Sequence, residues 1–176
     1  MKICIDLGAT NIKSGLVKNG KIIRKEQAPT DTSNGLKGII ASLFGAINLL
    51  LEDAKGEVNG ICISSAGTID VDSGRVVYAT DNLPGYTGFN IKEWVNNTFN
   101  LPCVALNDGH AALLGELLMN EEYRLKRVIM LTFGSGVGGA YAINGKLKAD
   151  EENNFALFGH IVSVEGWLAC NCGKRG

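Results

Sequence analysis

Hydrophobic positions along this chain fall into two rhythms, one of period two and one of three to four residues. Ile3-Cys4-Ile5-Asp6-Leu7 alternates and is rich in β-branched residues, which predicts a first strand. SGLVKNGKIIRKE follows as two strand-like runs on either side of Asn19-Gly20, and an Asn-Gly pair in that setting is a strong signal for a tight hairpin. Over residues 34–54 the rhythm changes. Leu36, Ile39, Ile40, Leu43, Phe44, Ile47, Leu50 and Leu51 recur three and four apart, which predicts one apolar face of a helix. VNGICISSAG then reads as a buried strand ending in small residues, GRVVYAT as a short strand and DNLPGYTGFN as a loop. Asn90 stands where it can cap the helix IKEWVNNTF. PCVALND predicts another buried strand, GHAALLGELLMN a helix, RVIMLTF a strand, and GVGGAYAINGKLK a hairpin around Asn144-Gly145. Residues 150–176 show no clear period.

One order of elements occurs twice. DLGATNIKSGLVKNGKIIR and LTFGSGVGGAYAINGKLK both run from a strand end through a glycine turn to a strand, an Asn-Gly pair and a second strand. Two copies so far apart exclude a short-period solenoid and suit a fold of two related lobes, each with a phosphate-facing hairpin.

The formal net charge of −1 carries no electrostatic signature of nucleic acid or membrane surface. The N-terminus lacks the continuous apolar stretch of a secretory signal, and no segment is expected to approach the roughly 20 apolar residues of a membrane span. A cytoplasmic protein is the expectation. Cys4, Cys62 and Cys103 lie inside short apolar runs and read as small buried hydrophobes.

Four places carry chemistry. Asp6-Leu7-Gly8-Ala9-Thr10 puts a glycine turn directly after a strand. Backbone N–H groups of such a turn, with the Thr10 hydroxyl, can bind phosphate oxygens, and Asp6 can hold magnesium through water. A plain β-turn is the alternative. Gly134-Ser135-Gly136-Val137-Gly138-Gly139 matches G-x-G-x-x-G by letter. A dinucleotide site needs a helix after that loop, whereas AYAINGKLK continues as a hairpin, so a second phosphate hairpin fits better. Asn107-Asp108 lies between a buried strand and a helix, at the strand end where α/β proteins place ligands. Asp108 there can take a proton from an attacking hydroxyl, or simply cap the helix. Finally, His160 stands ten residues before Cys170-Asn171-Cys172, a set able to supply three zinc ligands.

In combination and in order, these segments resemble the ROK family of sugar kinases and repressors. DLGATNIK is similar to the family's first phosphate segment, SSAGTIDVDSGRVVYATDNLPGYTGFNI to its sugar-facing segment, and NDGHAALLGE to its catalytic segment. LTFGSGVGGA is similar to its second phosphate loop, and FGHIVSVEG with CNCGKRG to its GH and C-x-C-G-x-x-G-C zinc segments.

The resemblance implies an α/β, actin-like ATPase (ribonuclease H-like) fold. Its first lobe would be residues 1–106, and the start of a second lobe would be 107–176. It implies an ATP-dependent kinase acting on the primary (6-) hydroxyl of a hexose or amino sugar. Asp108 would be the catalytic base. Gly67, Asn82, Asn107, Asp108 and His160 would lie at the sugar. Asp6, Gly8, Ala9, Thr10, Asn11, Gly134, Ser135, Gly136, Val137 and Gly138 would lie at ATP and magnesium. His160, Cys170 and Cys172 would lie at a structural zinc. A homodimer is the family expectation.

The chain departs from the family pattern at Leu157, where the family has a Glu three residues before the motif His. A leucine cannot accept hydrogen bonds from sugar hydroxyls, which leaves the sugar open. Gly109-His110 replace the usual Ala-Asn, a milder change. The sequence ends at Gly176, where the family's third zinc cysteine would come next, so the chain as written reads as the front portion of the enzyme. A truncated or non-catalytic sugar-binding module is the alternative. A repressor would carry a helix-turn-helix before the first strand.

Overall fold

The structure is a computed structural model, and it describes residues 1–133, 137–148, 158–170 and 173–176. Contacts divide the chain into two units, Met1–Asp108 and Gly109–Gly176.

The first unit is built on a five-stranded sheet. β1 (Lys2–Leu7), β2 (Asn11–Lys18) and β3 (Lys21–Pro29) form an antiparallel meander. The Asn19-Gly20 turn predicted from sequence closes β2 onto β3, with both residues at positive φ, 51° and 74°, the conformation that a two-residue hairpin turn requires. β4 (Ile61–Ser65) and β7 (Cys103–Asn107) add to β1 in parallel, giving the order β3-β2-β1-β4-β7. Between β4 and β7 the chain makes a small hairpin, β5 (Thr68–Ile69) with β6 (Val76–Tyr78).

Helix α1 (Gly35–Ala54) presents Ile39, Leu43, Ile47, Leu50 and Ala54 as a fully buried row. The row meets Ile3, Ile5 and Leu7 of β1, Ile12 and Leu16 of β2, and Ile61 and Ile63 of β4 in one core. Each of the Ile and Leu side chains contributes about 1.5–3 kcal/mol by leaving water. Helix α2 (Ile91–Phe99) adds Ile91 and Val95 to the same core. Asn90 caps α2 as expected, its side-chain oxygen accepting from the Glu93 N–H at 3.0 Å. Stacked rings tie the two helices together, with Phe44 and Phe99 centroids 5.6 Å apart.

Two expectations need correction. α1 is long and apolar enough, by length and composition alone, to cross a membrane, although no segment was expected to approach that. The helix at the centre of an α/β core needs one continuous apolar row, and here part of the remaining surface is apolar as well. Cys4 and Cys62 are only half-buried and lie on the face of the sheet opposite the helices. Cys103 alone of the three packs against the core.

In the second unit, β8 (Arg127–Phe133), β9 (Val137–Ile143) and β10 (Lys146–Leu147) form an antiparallel sheet. Asn144-Gly145 repeats the first hairpin's turn, with φ of 51° and 73°. The similarity seen in sequence is therefore one of structure: β1-β2-β3 and β8-β9-β10 are the same antiparallel arrangement. Helix α3 (Asp108–Met119) begins at the boundary of the two units. Its Leu113 and Leu117 pack with Ala140 and Ala142 of β9.

Candidate functional site

The register of the three parallel strands places their carboxyl ends level. Leu7 of β1 is paired with Ser65 of β4, and Ser65 with Asn107 of β7. The next segments, Gly8-Ala9-Thr10, Ala66-Gly67 and Asp108, therefore leave the sheet along one edge. Hydrophobic strand pattern alone sets this register, because a slip of one residue would turn Ile5 and Ile63 out of the core.

The turn after β1 is held from within. The Gly8 N–H donates to the Asn11 carbonyl at 3.0 Å, and the Thr30 hydroxyl donates to the Gly8 carbonyl at 2.7 Å. The Ala9 and Thr10 N–H groups take no acceptor among the described residues. A turn fixed in this way, with N–H groups unengaged, is of the kind that can receive phosphate oxygens. Asp6 is exposed at the strand end. Its carboxylate accepts from the Ser64 hydroxyl at 3.4 Å, and its register partner on β2 is Lys13.

Asn107 is buried, and its side-chain amide donates both to the Gly67 carbonyl at 2.8 Å and to the Asp108 carboxylate at 2.9 Å. Asp108 is exposed at the first turn of α3, where the helix N-terminus favours a negative charge. Gly67 has φ of 101°, and a Cβ there would sit 2.7 Å from the Tyr78 carbonyl oxygen. Asn82 is exposed in the loop after β6. That loop is anchored by Tyr86, which is wholly buried and whose phenol oxygen lies 3.1 Å from the Ser65 hydroxyl. Burial raises the Tyr86 phenol pKa, and the Ser65 hydrogen bond only partly opposes this. Neither Thr30 nor the Ser65–Tyr86 pair was expected from sequence. Both join residues distant in the chain, and neither belongs to a local pattern.

In the second unit, β8 and β9 flank residues 134–136, with Phe133 paired to Val137. Gly134, Ser135 and Gly136 lie outside the described residues. From Val137 the chain runs on as the strand β9, so the helix of a dinucleotide fingerprint is not there. Gly138 lies against Thr132, whose hydroxyl would be 2.6 Å from an added Cβ. His160 ends a short 3-10 turn, and its Nδ1 is 3.5 Å from the Cys170 sulfur. Cys172 and Leu157 lie outside the described residues. Among the described residues, no three His, Cys, Asp or Glu side chains gather as a metal site.

The ROK family model matches residues 2–176. The chain belongs to the ROK family. A glucokinase of Halalkalibacterium halodurans is 31% identical over 98% of this chain and 53% of its own length. An N-acetylmannosamine kinase of Haemophilus influenzae is 27% identical over 99% of this chain and 56% of its own length. The crystal structure of a ROK family glucokinase from Streptomyces griseus, in complex with glucose and AMPPNP, superposes with a TM-score of 0.80. It is 27% identical, and the match covers 99% of this chain and 55% of that one. This ROK chain thus spans about half the length of the curated relatives it matches. Its α/β architecture is the mixed-sheet fold typical of ROK proteins and the actin-like ATPase superfamily.

Proposed function

We propose that this ROK chain supplies the sugar site and catalytic base of an ATP-dependent sugar kinase that phosphorylates the primary hydroxyl of a hexose or amino sugar. One observation carries the reading. Asn107, Asp108, Gly67 and the turn Gly8-Ala9-Thr10 share one edge of a single sheet, with Asn107 bonded to both Gly67 and Asp108.

In this reading Asp108 accepts the proton of the sugar hydroxyl as its oxygen attacks the γ-phosphorus. The bond to the bridging oxygen breaks, and ADP departs with that electron pair. Phosphoryl transfer depends mainly on positioning and on neutralising charge. Asn107 supplies positioning: its amide is committed to Gly67, which fixes how the Asp108 carboxylate is turned. The free N–H groups of Ala9 and Thr10 cradle phosphate oxygens, with Asn11 closing the turn. Asp6 is the residue that would hold magnesium, which when bound neutralises phosphate charge. Asn82, exposed in the loop after β6, adds a sugar contact.

His160, Cys170 and Cys172 would hold a structural zinc. The 3.5 Å between His160 Nδ1 and Cys170 Sγ is the separation expected of two ligands on a tetrahedral ion, given Zn–N of about 2.0–2.1 Å and Zn–S of about 2.3 Å. A cytoplasmic location, where ATP is available, and a homodimer go with this reading. The glucokinase and N-acetylmannosamine kinase relatives leave both sugars as candidate substrates.

The test is ATP turnover against a panel of hexoses and amino sugars, with the full-length protein and its Asp108→Asn variant. Loss of a general base lowers turnover by about 10²–10⁴-fold, while sugar affinity measured by calorimetry stays within severalfold. A variant that keeps full turnover overturns the role of Asp108. A wild-type protein that binds sugar without turning over ATP favours the non-catalytic module.

A further inference from the structure

Two thiols on the sheet face turned away from the helices have no part in sugar phosphorylation. Cys4 and Cys62 are register partners on β1 and β4. Neighbouring strands lie about 4.7–4.9 Å apart, and disulfide-bonded cysteines have their Cα atoms about 4.4–6.8 Å apart. Register pairing therefore puts the two Cα atoms at a separation compatible with a disulfide. Directly opposed residues of adjacent strands also project from the same face, so both sulfurs lie on one side.

The surroundings leave this pair within reach. Both cysteines are half-buried. The residue opposite Cys4 on β2 is Gly15, which has no side chain to cover it. Cys4 lines a cleft of about 390 Å³ with Gly15, Asp6, Lys13, Lys25 and Ser64. Cys103 makes the contrast. It is paired with Ile61 and faces the core, where burial pushes its thiol up to about 12. For the opposed pair, the neighbouring thiol and, less strongly, the Lys2 charge favour one thiolate against burial, and a thiolate is the nucleophilic form of cysteine.

We propose that Cys4 and Cys62 form a redox-active dithiol that a hydroperoxide closes to a disulfide. One thiolate of the pair attacks the peroxide, the O–O bond breaks, and the departing hydroxide takes up a proton to leave as water. That cysteine is then a sulfenic acid. The sulfur of its register partner attacks the sulfenic sulfur, the S–O bond breaks, and the hydroxyl leaves as water with the partner's proton. Two thiols and one hydrogen peroxide give one disulfide and two waters, the two sulfurs supplying the two electrons. Added thiol reverses the bond by exchange.

The test uses the full chain, reduced and then freed of reductant, and exposed to a small excess of hydrogen peroxide. Intact mass should fall by two hydrogens, a linked peptide pair containing Cys4 and Cys62 should appear, and dithiothreitol should restore the starting mass. Cys4→Ser and Cys62→Ser should each abolish the linked pair, and Cys103→Ser should leave it. Phenylarsine oxide, which bridges paired thiols, gives a second reading on the wild-type chain alone, with one arsenic mapped to the same two peptides. Oxygen added to separate cysteines, a disulfide through any other cysteine, or failure of both reagents overturns the proposal. These readouts are masses, so they are independent of whether the protein phosphorylates a sugar.

Discussion

The side-chain amide of Asn107 bonds the carbonyl of Gly67 at 2.8 Å, across forty residues of sequence. The same amide nitrogen donates to Asp108 at 2.9 Å. One buried group therefore couples the turn after β4 to Asp108, the proposed base. Asn107→Ala removes the donor and leaves the Gly67 carbonyl without it, at a cost of about 1–3 kcal/mol. In the full-length protein turnover should fall by about a hundredfold, the scale of a misplacement of about 1 Å at a reacting centre. The Asp108→Asn variant should then lose little more when combined with it. Additive losses in kcat would mean that the two residues act separately.

Gly67 is required by its backbone. Its φ of 101° lies where side chains are strained, and a Cβ would meet the Tyr78 carbonyl oxygen at 2.7 Å. Gly67→Ala should cost about 1–3 kcal/mol from backbone strain alone. Each kcal/mol lowers Tm by about 2–4 °C for a chain of this size. Thermal unfolding followed by circular dichroism checks this. An unchanged Tm would mean that the β4–β5 turn relaxes without penalty.

Much of this fold was legible in the sequence, for local reasons. The three-and-four spacing from Ile39 to Leu50 needs no partner to announce a helix, and Asn19-Gly20 and Asn144-Gly145 carry their turn geometry with them. β5 was not legible: its two residues, Thr68 and Ile69, become a strand only by pairing with β6. The site was legible as separate pieces, Asp6 to Thr10 and Asn107-Asp108, because each lies at a strand's end. The links between the pieces were not. The Ser65–Tyr86 contact and the Thr30 clasp on Gly8 depend on register and loop packing. The cysteines show the same limit. An apolar run places Cys4, Cys62 and Cys103 in strands, but only pairing tells which face each one takes.

The zinc proposal separates from the kinase proposal by metal content. Cys170→Ser or Cys172→Ser in the full-length protein should lower bound zinc measured by elemental analysis, and a second-ligand variant, His160→Ala, should do the same. Metal content equal to wild type in all three would remove the site, whatever the activity.

Tyr86 links stability to alkaline pH. Burial disfavours its charged phenolate, so the folded chain holds this proton more tightly than the unfolded chain does. Linkage sets the sign: the contribution is fully present below the ordinary tyrosine value of about 10 and is lost as pH rises from there toward the raised folded value. Tyr86→Phe removes that dependence. It also removes the contact with the Ser65 hydroxyl, for about 0.5–1.5 kcal/mol at neutral pH. Urea unfolding of both proteins across the alkaline range should therefore show the wild-type midpoint falling more steeply with pH, so that the gap between the two narrows. Parallel curves would mean that Tyr86 ionises in the folded chain as it does in water.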